Sequence, residues 1–283
     1  MANYIPTTPA EVQEMLGAIG VKTIDDLFAE IPPELRLQGD LNIPEGMSEP
    51  EMTRKLTRLS QNNETVDDKV CFLGGGAYDH IIPAAIDHLL LCGDFFTAYT
   101  PYQPEVSQGT LQCIYEFQSL ICGLTGMDQA NASMYEGATA TVEAINMATA
   151  QTRRNKVLVL QTINPEYRRV INSLNTPLGA EIVNVPFEDG VVDPAKVHEM
   201  LNDQVAAVVM QYPNFLGCIE DIEKIAEVAH DAGALAIVVA NPIALGLLET
   251  PGKLGADIVC GEGQPLGIPL SFGGPYVGFL AAK

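Results

Sequence analysis

Short apolar runs alternate with amphipathic stretches over most of this chain. Residues 157–160, 205–210, 234–240 and 256–260 are unbroken apolar runs, apart from Asp257, of the length and β-branched content of strands buried on both faces. Residues 181–185 and 276–280 read as two more strands. Residues 132–135 read as a short one, feeding a small-residue helix from Gly137 to about Thr152. Between them lie helical patterns at 165–174, 194–201 and 219–231. Proline opens the first two, and Gly233 follows the third. Seven strands in a βαβ rhythm predict an α/β fold, a mostly parallel sheet between helices.

The beginning of the chain has a different pattern. Thr8-Pro9 starts a helix through Met15 and Leu16 that stops at Gly20. Residues 23–28 begin a second short helix, halted by Pro32-Pro33. Residues 40–50 are loop-like, and a polar helical piece runs to Leu59. Large apolar residues are too few here for an independent core. The expected division is therefore an N-terminal helical arm over 1–69 and a large domain over 70–283.

Composition narrows the function classes. A chain of 283 residues buries about 75% of its unfolded surface and needs no staples. A formal net charge of -21 argues against nucleic acid and anionic membranes as partners. The six cysteines form no CxxC pair, and several sit in apolar runs, as in a reducing compartment. The first six residues lack a signal-peptide pattern, and no apolar run approaches the ~20 residues of a membrane span. A soluble, cytoplasmic protein is expected.

Candidate chemistry gathers where strands end. Asn241-Pro242 follows one buried run, and Gly261-Glu262-Gly263-Gln264 follows the next. Such loops build small-molecule sites in open α/β sheets. Yet the only lysine between Asn241 and Tyr276 is Lys253, ahead of the second strand. Gly137, Ala138 and Thr139 open a helix directly after a strand. That arrangement suits either an anion site or close helix–sheet packing, and Glu136 already places a carboxylate at the positive end of the helix. The glycine run 74–76 has neither P-loop nor dinucleotide spacing and reads as a flexible loop. The four histidines have no metal-ligand spacing, so no metal is expected. His198 and His230 fall on surface helices, leaving His80, beside Asp79, as the histidine to test. No GxSxG elbow supports a serine hydrolase. The segment Tyr99-Thr100-Pro101-Tyr102-Gln103-Pro104-Glu105-Val106-Ser107-Gln108-Gly109 is stiff and aromatic. It suits either a recognition surface or a rigid connector with buried rings.

That last segment resembles the signature of the glycine cleavage system P-protein family, more closely its separate subunit 1 in two-subunit versions. The resemblance runs from the N-terminal arm to Phe279. It includes Asn131-Ala132-Ser133-Met134-Tyr135, the Gly137-Ala138-Thr139 helix start and Gly261-Glu262-Gly263-Gln264. It implies the large domain of a fold type I pyridoxal-phosphate (PLP) transferase. The implied activity is glycine decarboxylation, with transfer of the aminomethyl group to the lipoyl arm of H-protein and PLP as electron sink.

The family pattern also implies an acid at the end of the strand over 235–239 and a Schiff-base lysine just after the next strand. Here those positions read Asn241 and Gln264, and neither residue can take the role. Gly137, Ala138, Thr139, Asn214, Asn241 and Gln264 are thus expected as degenerate cofactor positions, with no catalytic residue in this chain. PLP is expected on a partner, subunit 2, with Tyr99, Tyr102, Gln103 and Glu105 reaching across the interface. Relatives continue into a small C-terminal domain that is expected to be absent here. Two other readings stay open: a purely structural scaffold, and an independent PLP enzyme using another lysine such as Lys253.

Overall fold

Thr8 and Glu11 set where the first helix of the computed structural model begins. The Thr8 hydroxyl accepts from the Glu11 amide while the Glu11 carboxylate accepts from the Thr8 amide. This capping box starts α1 (Pro9–Ile19), which ends at Gly20 with φ 91°. The structure describes residues 6–39, 41–66, 68–95 and 99–283. The leader reading of residues 1–5 and the Asp40 end of the expected loop lie outside them. Ser48 and Glu51 repeat the box at α2 (Glu49–Ser60). The second short helix is a 3-10 turn, Ile24–Phe28, cut short by the prolines that follow. Contacts divide the chain into two units, Met1–Phe72 and Leu73–Lys283. Within the first, Leu16 is the one buried residue among those described.

The second unit opens irregularly. The strand–helix rhythm expected from Val70 is absent over 70–82, where three successive glycines have positive φ. Then come α3 (Ala85–Leu90), α4 (Pro104–Thr125) and β1 (Gln129–Ala130). The strand expected at 132–135 is only an isolated bridge, Met134 with Gly278, because Ser133 turns out of the ladder with φ 134°. From there α5 (Gly137–Thr152), β2 (Lys156–Leu160), α6 (Pro165–Asn175), β3 (Glu181–Val185), α7 (Pro194–Met200) and β4 (Val205–Tyr212) alternate. The series closes with α8 (Ile222–Asp231), β5 (Leu235–Ala240), β6 (Ile258–Glu262) and β7 (Gly278–Ala282).

The sheet order is β1-β7-β6-β5-β4-β2-β3. Strands β3, β2, β4, β5 and β6 pair in parallel, and β7 joins antiparallel to both β6 and β1. Every residue of β4 except Gln211 is buried, as its unbroken apolar run requires. Helix α5 lies close on the sheet because Ala140, Ala144 and Ala148 are its inner face, all fully buried. Gly261 permits another close approach, since a Cβ there would strike the Ala240 carbonyl and the Phe279 ring. Strand order reverses between β2 and β4, which places a crevice at their carboxyl ends.

Candidate functional site

The crevice is a cavity of about 430 Å³ lined by the loops after β2, β4, β5 and β6 together with Gly76, Tyr78 and His80. Asn164 caps α6, its Oδ1 accepting from the Glu166 amide at 2.9 Å while its own amide donates to Gln211 Oε1 at 2.7 Å. After β5, Asn241 Oδ1 accepts from the amides of Ile243 (3.0 Å) and Ala244 (3.4 Å), starting the 3-10 turn Ala244–Gly246. Buried Gln264 donates its side-chain amide to the Ile268 carbonyl. Among the described residues lining the cavity there is no lysine or arginine.

Asn214 is tied down completely. Its Nδ2 donates to the Gly190 carbonyl and to Glu220 Oε1, both at 2.8 Å, and its Oδ1 accepts from the amides of Leu216 and Cys218 at 3.0 Å. Glu220 is 2% exposed and also accepts from the Thr162 hydroxyl (2.6 Å) and the Val192 amide (2.9 Å). One buried carboxylate therefore holds the loops after β2, β3 and β4 together.

A second carboxylate cluster sits at the start of α5. The Glu136 side chain caps the helix, accepting from the amides of Ala138 and Thr139, both at 2.6 Å. Glu262, at the end of β6, accepts from the Gly137 amide at 3.0 Å and from the Gln264 amide at 2.9 Å. The Tyr167 hydroxyl stands over Gly137 so closely that a Cβ there would collide with it. Burial raises the Glu262 carboxyl above its ordinary value, and the backbone donors and nearby Glu136 modify that shift in opposite directions. Burial, then the charges of Glu262 and Glu136, push the Tyr167 phenol up, which keeps it a donor. The Cys260 thiol, fully enclosed, is pushed up to about 12 and is chemically inert.

Comparison with known proteins decides the family. The model of the glycine cleavage system P-protein matches residues 2–283. The chain belongs to the glycine cleavage system P-protein family. It is 54% identical over 281 residues to the probable glycine dehydrogenase (decarboxylating) subunit 1 of Desulfitobacterium hafniense, covering 99% of this chain and 63% of that protein. The corresponding protein of Desulforamulus reducens is 55% identical over 280 residues, with the same coverage. A crystal structure of glycine decarboxylase (P-protein) in inhibitor-bound form superposes with a TM-score of 0.89 at 45% identity, over 100% of this chain and 63% of that one. The chain thus spans under two thirds of the length of these relatives. Its α/β fold is that of PLP-dependent transferases. A Burkholderia pseudomallei sphingosine-1-phosphate lyase shares the fold, with a TM-score of 0.62 at 14% identity over 89% of this chain and 63% of that one.

Within this P-protein chain the expected positions fall into three places. Asn214, Asn241 and Gln264 line the cavity, Gly137 adjoins it through Glu262, and Ala138 and Thr139 are bound to Glu136 outside it. Tyr99, Tyr102, Gln103 and Glu105 line none of it. Tyr99 and Tyr102 precede α4, Gln103 is its N-cap and Glu105 is in its first turn; Tyr99 is fully exposed and Tyr102 is 86% exposed. His80 does line the cavity, its Nδ1 2.9 Å from the Tyr78 carbonyl, so that nitrogen is the donor. His230, placed on a surface helix by the sequence, has its Nε2 2.7 Å from Asp257 Oδ2. Lys253 precedes β6, at the opposite end of the strand from the cavity, and pairs with Glu249 at 3.2 Å. Among the described residues no group of side chains is set to hold a metal ion, and no helix is long and apolar enough to cross a membrane.

The residues do not fit PLP. No cavity-lining amine can form an imine, Asn241 cannot balance a pyridinium charge, and the first three amides of α5 already bond to carboxylates. Sequence reasoning missed Glu262, Tyr167 and Glu220 as organisers of the site. A carboxylate directly after a buried strand, as at 262, was the available signal.

Proposed function

We propose that this chain serves in subunit 1 of a two-subunit glycine cleavage P-protein, which decarboxylates glycine and passes the aminomethyl group to the lipoyl arm of H-protein. PLP and its lysine are carried by subunit 2, and this chain contributes protein surface to the partner's site. The observation that carries the reading is a cavity without lysine at the strand ends of a P-protein-family chain. Tyr99, Tyr102, Gln103 and Glu105 are the proposed contributors: the two tyrosines are exposed in the segment that leads into α4. Rigid aromatic side chains supply contact area at low entropic cost. Gly137, Ala138, Thr139, Asn214, Asn241 and Gln264 serve as structure in place of cofactor ligands, and the complex works in the cytoplasm.

The test mixes purified subunit 1 containing this chain with its PLP-bearing partner and measures glycine–CO2 exchange. Exchange is expected only with both present. Exchange by subunit 1 alone with added PLP would overturn the assignment, as would a partner whose exchange is complete without it.

A further inference from the structure

A 16-residue helix such as α5 presents its positive pole and unbonded amides at its start, a seat for an anion. The family's cofactor is a phosphate ester, and the residues around this seat disagree with one. The amides of Gly137, Ala138 and Thr139 all donate to carboxylate oxygens of the chain itself, at 3.0, 2.6 and 2.6 Å. The two carboxylates come from opposite sides. Glu136 immediately precedes the helix, and Glu262 arrives on β6 with the strand-end cavity at its back. The Tyr167 hydroxyl closes the front of Gly137, and a Cβ at 137 would also meet the Glu262 amide at 2.9 Å. Gly278 lets β7 pass against the Glu136 backbone, where a Cβ would collide, so the cap is clamped in place.

We propose that Glu136 and Glu262 are the residues that set the ligand preference of this seat: together they act as a built-in anion that excludes phosphate and phosphate monoesters. Two negative charges repel a third, and the donors a phosphate needs are already in use. Among the described residues lining the cavity beyond, no lysine or arginine is present to compensate. The missing lysine is thus a separate loss: restoring an amine at 264 would leave the phosphate seat closed. This inference concerns the chain's own residues and stands whether or not the chain completes a partner's site.

The test is a gain of binding. Glu136→Ser keeps a good helix cap while removing one charge, and Glu262→Gln removes the other with little change of shape. Inorganic phosphate is titrated into the double variant and the parent by calorimetry, with melting temperature followed against chloride at equal ionic strength. The variant is expected to bind phosphate at least about tenfold more tightly than the parent and to melt higher in phosphate, while the parent does not respond. Equal affinity of the two proteins, or a folded double variant without gain, would overturn the proposal. Should the double variant fail to fold, Glu262→Gln alone carries the test. A smaller gain is expected from it, and none would count against the proposal.

Discussion

Helices α4 and α5 follow one another in the chain and treat apolar surface in opposite ways. Half of α5, eight of its 16 residues, is buried, whereas α4 buries three of 22. The buried side of α5 combines alanines with Val142 and Ile145. On α4, Val106, Tyr115 and Leu120 are exposed, continuing the exposed Tyr99 and Tyr102 that lead into it. The starts differ too. Glu136 caps α5 with two hydrogen bonds, while Gln103 makes no side-chain cap at α4. One helix is finished within the chain and the other keeps apolar side chains exposed, the surface the proposed partner contact would use.

Ile145→Ala is the strongest way to break this contrast. Ile145 is fully buried, so its truncation should cost about 2–5 kcal/mol in denaturant unfolding. Leu120→Ala, 71% exposed, should stay within about 0.5 kcal/mol. Comparable losses would show that α4 is as internal as α5. Next in size, Tyr102→Ala should leave stability alone yet weaken association with the proposed PLP-bearing partner by about 2 kcal/mol, read by calorimetry. Unchanged affinity would return Tyr102 to the role of connector. At the helix starts, Glu136→Ala should lower stability by about 1 kcal/mol and Gln103→Ala by much less. Equal effects would mean that capping does not separate the two helices.

The smallest effect is a pH dependence. Burial holds the Glu262 carboxyl above its ordinary 4.5, so the folded chain binds that proton more tightly than the unfolded one. Its contribution to stability is fully present below 4.5 and is lost as pH rises through the raised folded value. The melting temperature of the parent relative to Glu262→Gln should therefore fall over that range. Parallel curves for the two proteins would remove Glu262 as the titrating group.

The central sheet was legible because β2, β4, β5 and β6 are apolar without alternation, and a run of that length has few other uses. Its edges were not. Two-residue β1 carries no periodicity, and β7 begins two residues later than expected because Tyr276 and Val277 lie outside its ladder with β6. In the site, Asn241 and Gln264 could be placed because each follows a recognisable strand. The role of Glu262 was hidden, since it depends on meeting Gly137, 125 positions away in the chain. Asn214 was expected only as a degenerate cofactor position. It makes four hydrogen bonds to Gly190, Glu220, Leu216 and Cys218, a pairing no local pattern announces.

Glu220 has a consequence for motion. Thr162, Val192 and Asn214 belong to three different loops, and each donates to that single carboxylate. None of these loops can swing outward without stripping a buried charge of a donor, so their excursions are coupled. In hydrogen exchange the amide of Val192 and those of Leu216 and Cys218 should open as one unit, at a common rate. Glu220→Gln should split them, leaving the mouth of the cavity to breathe loop by loop.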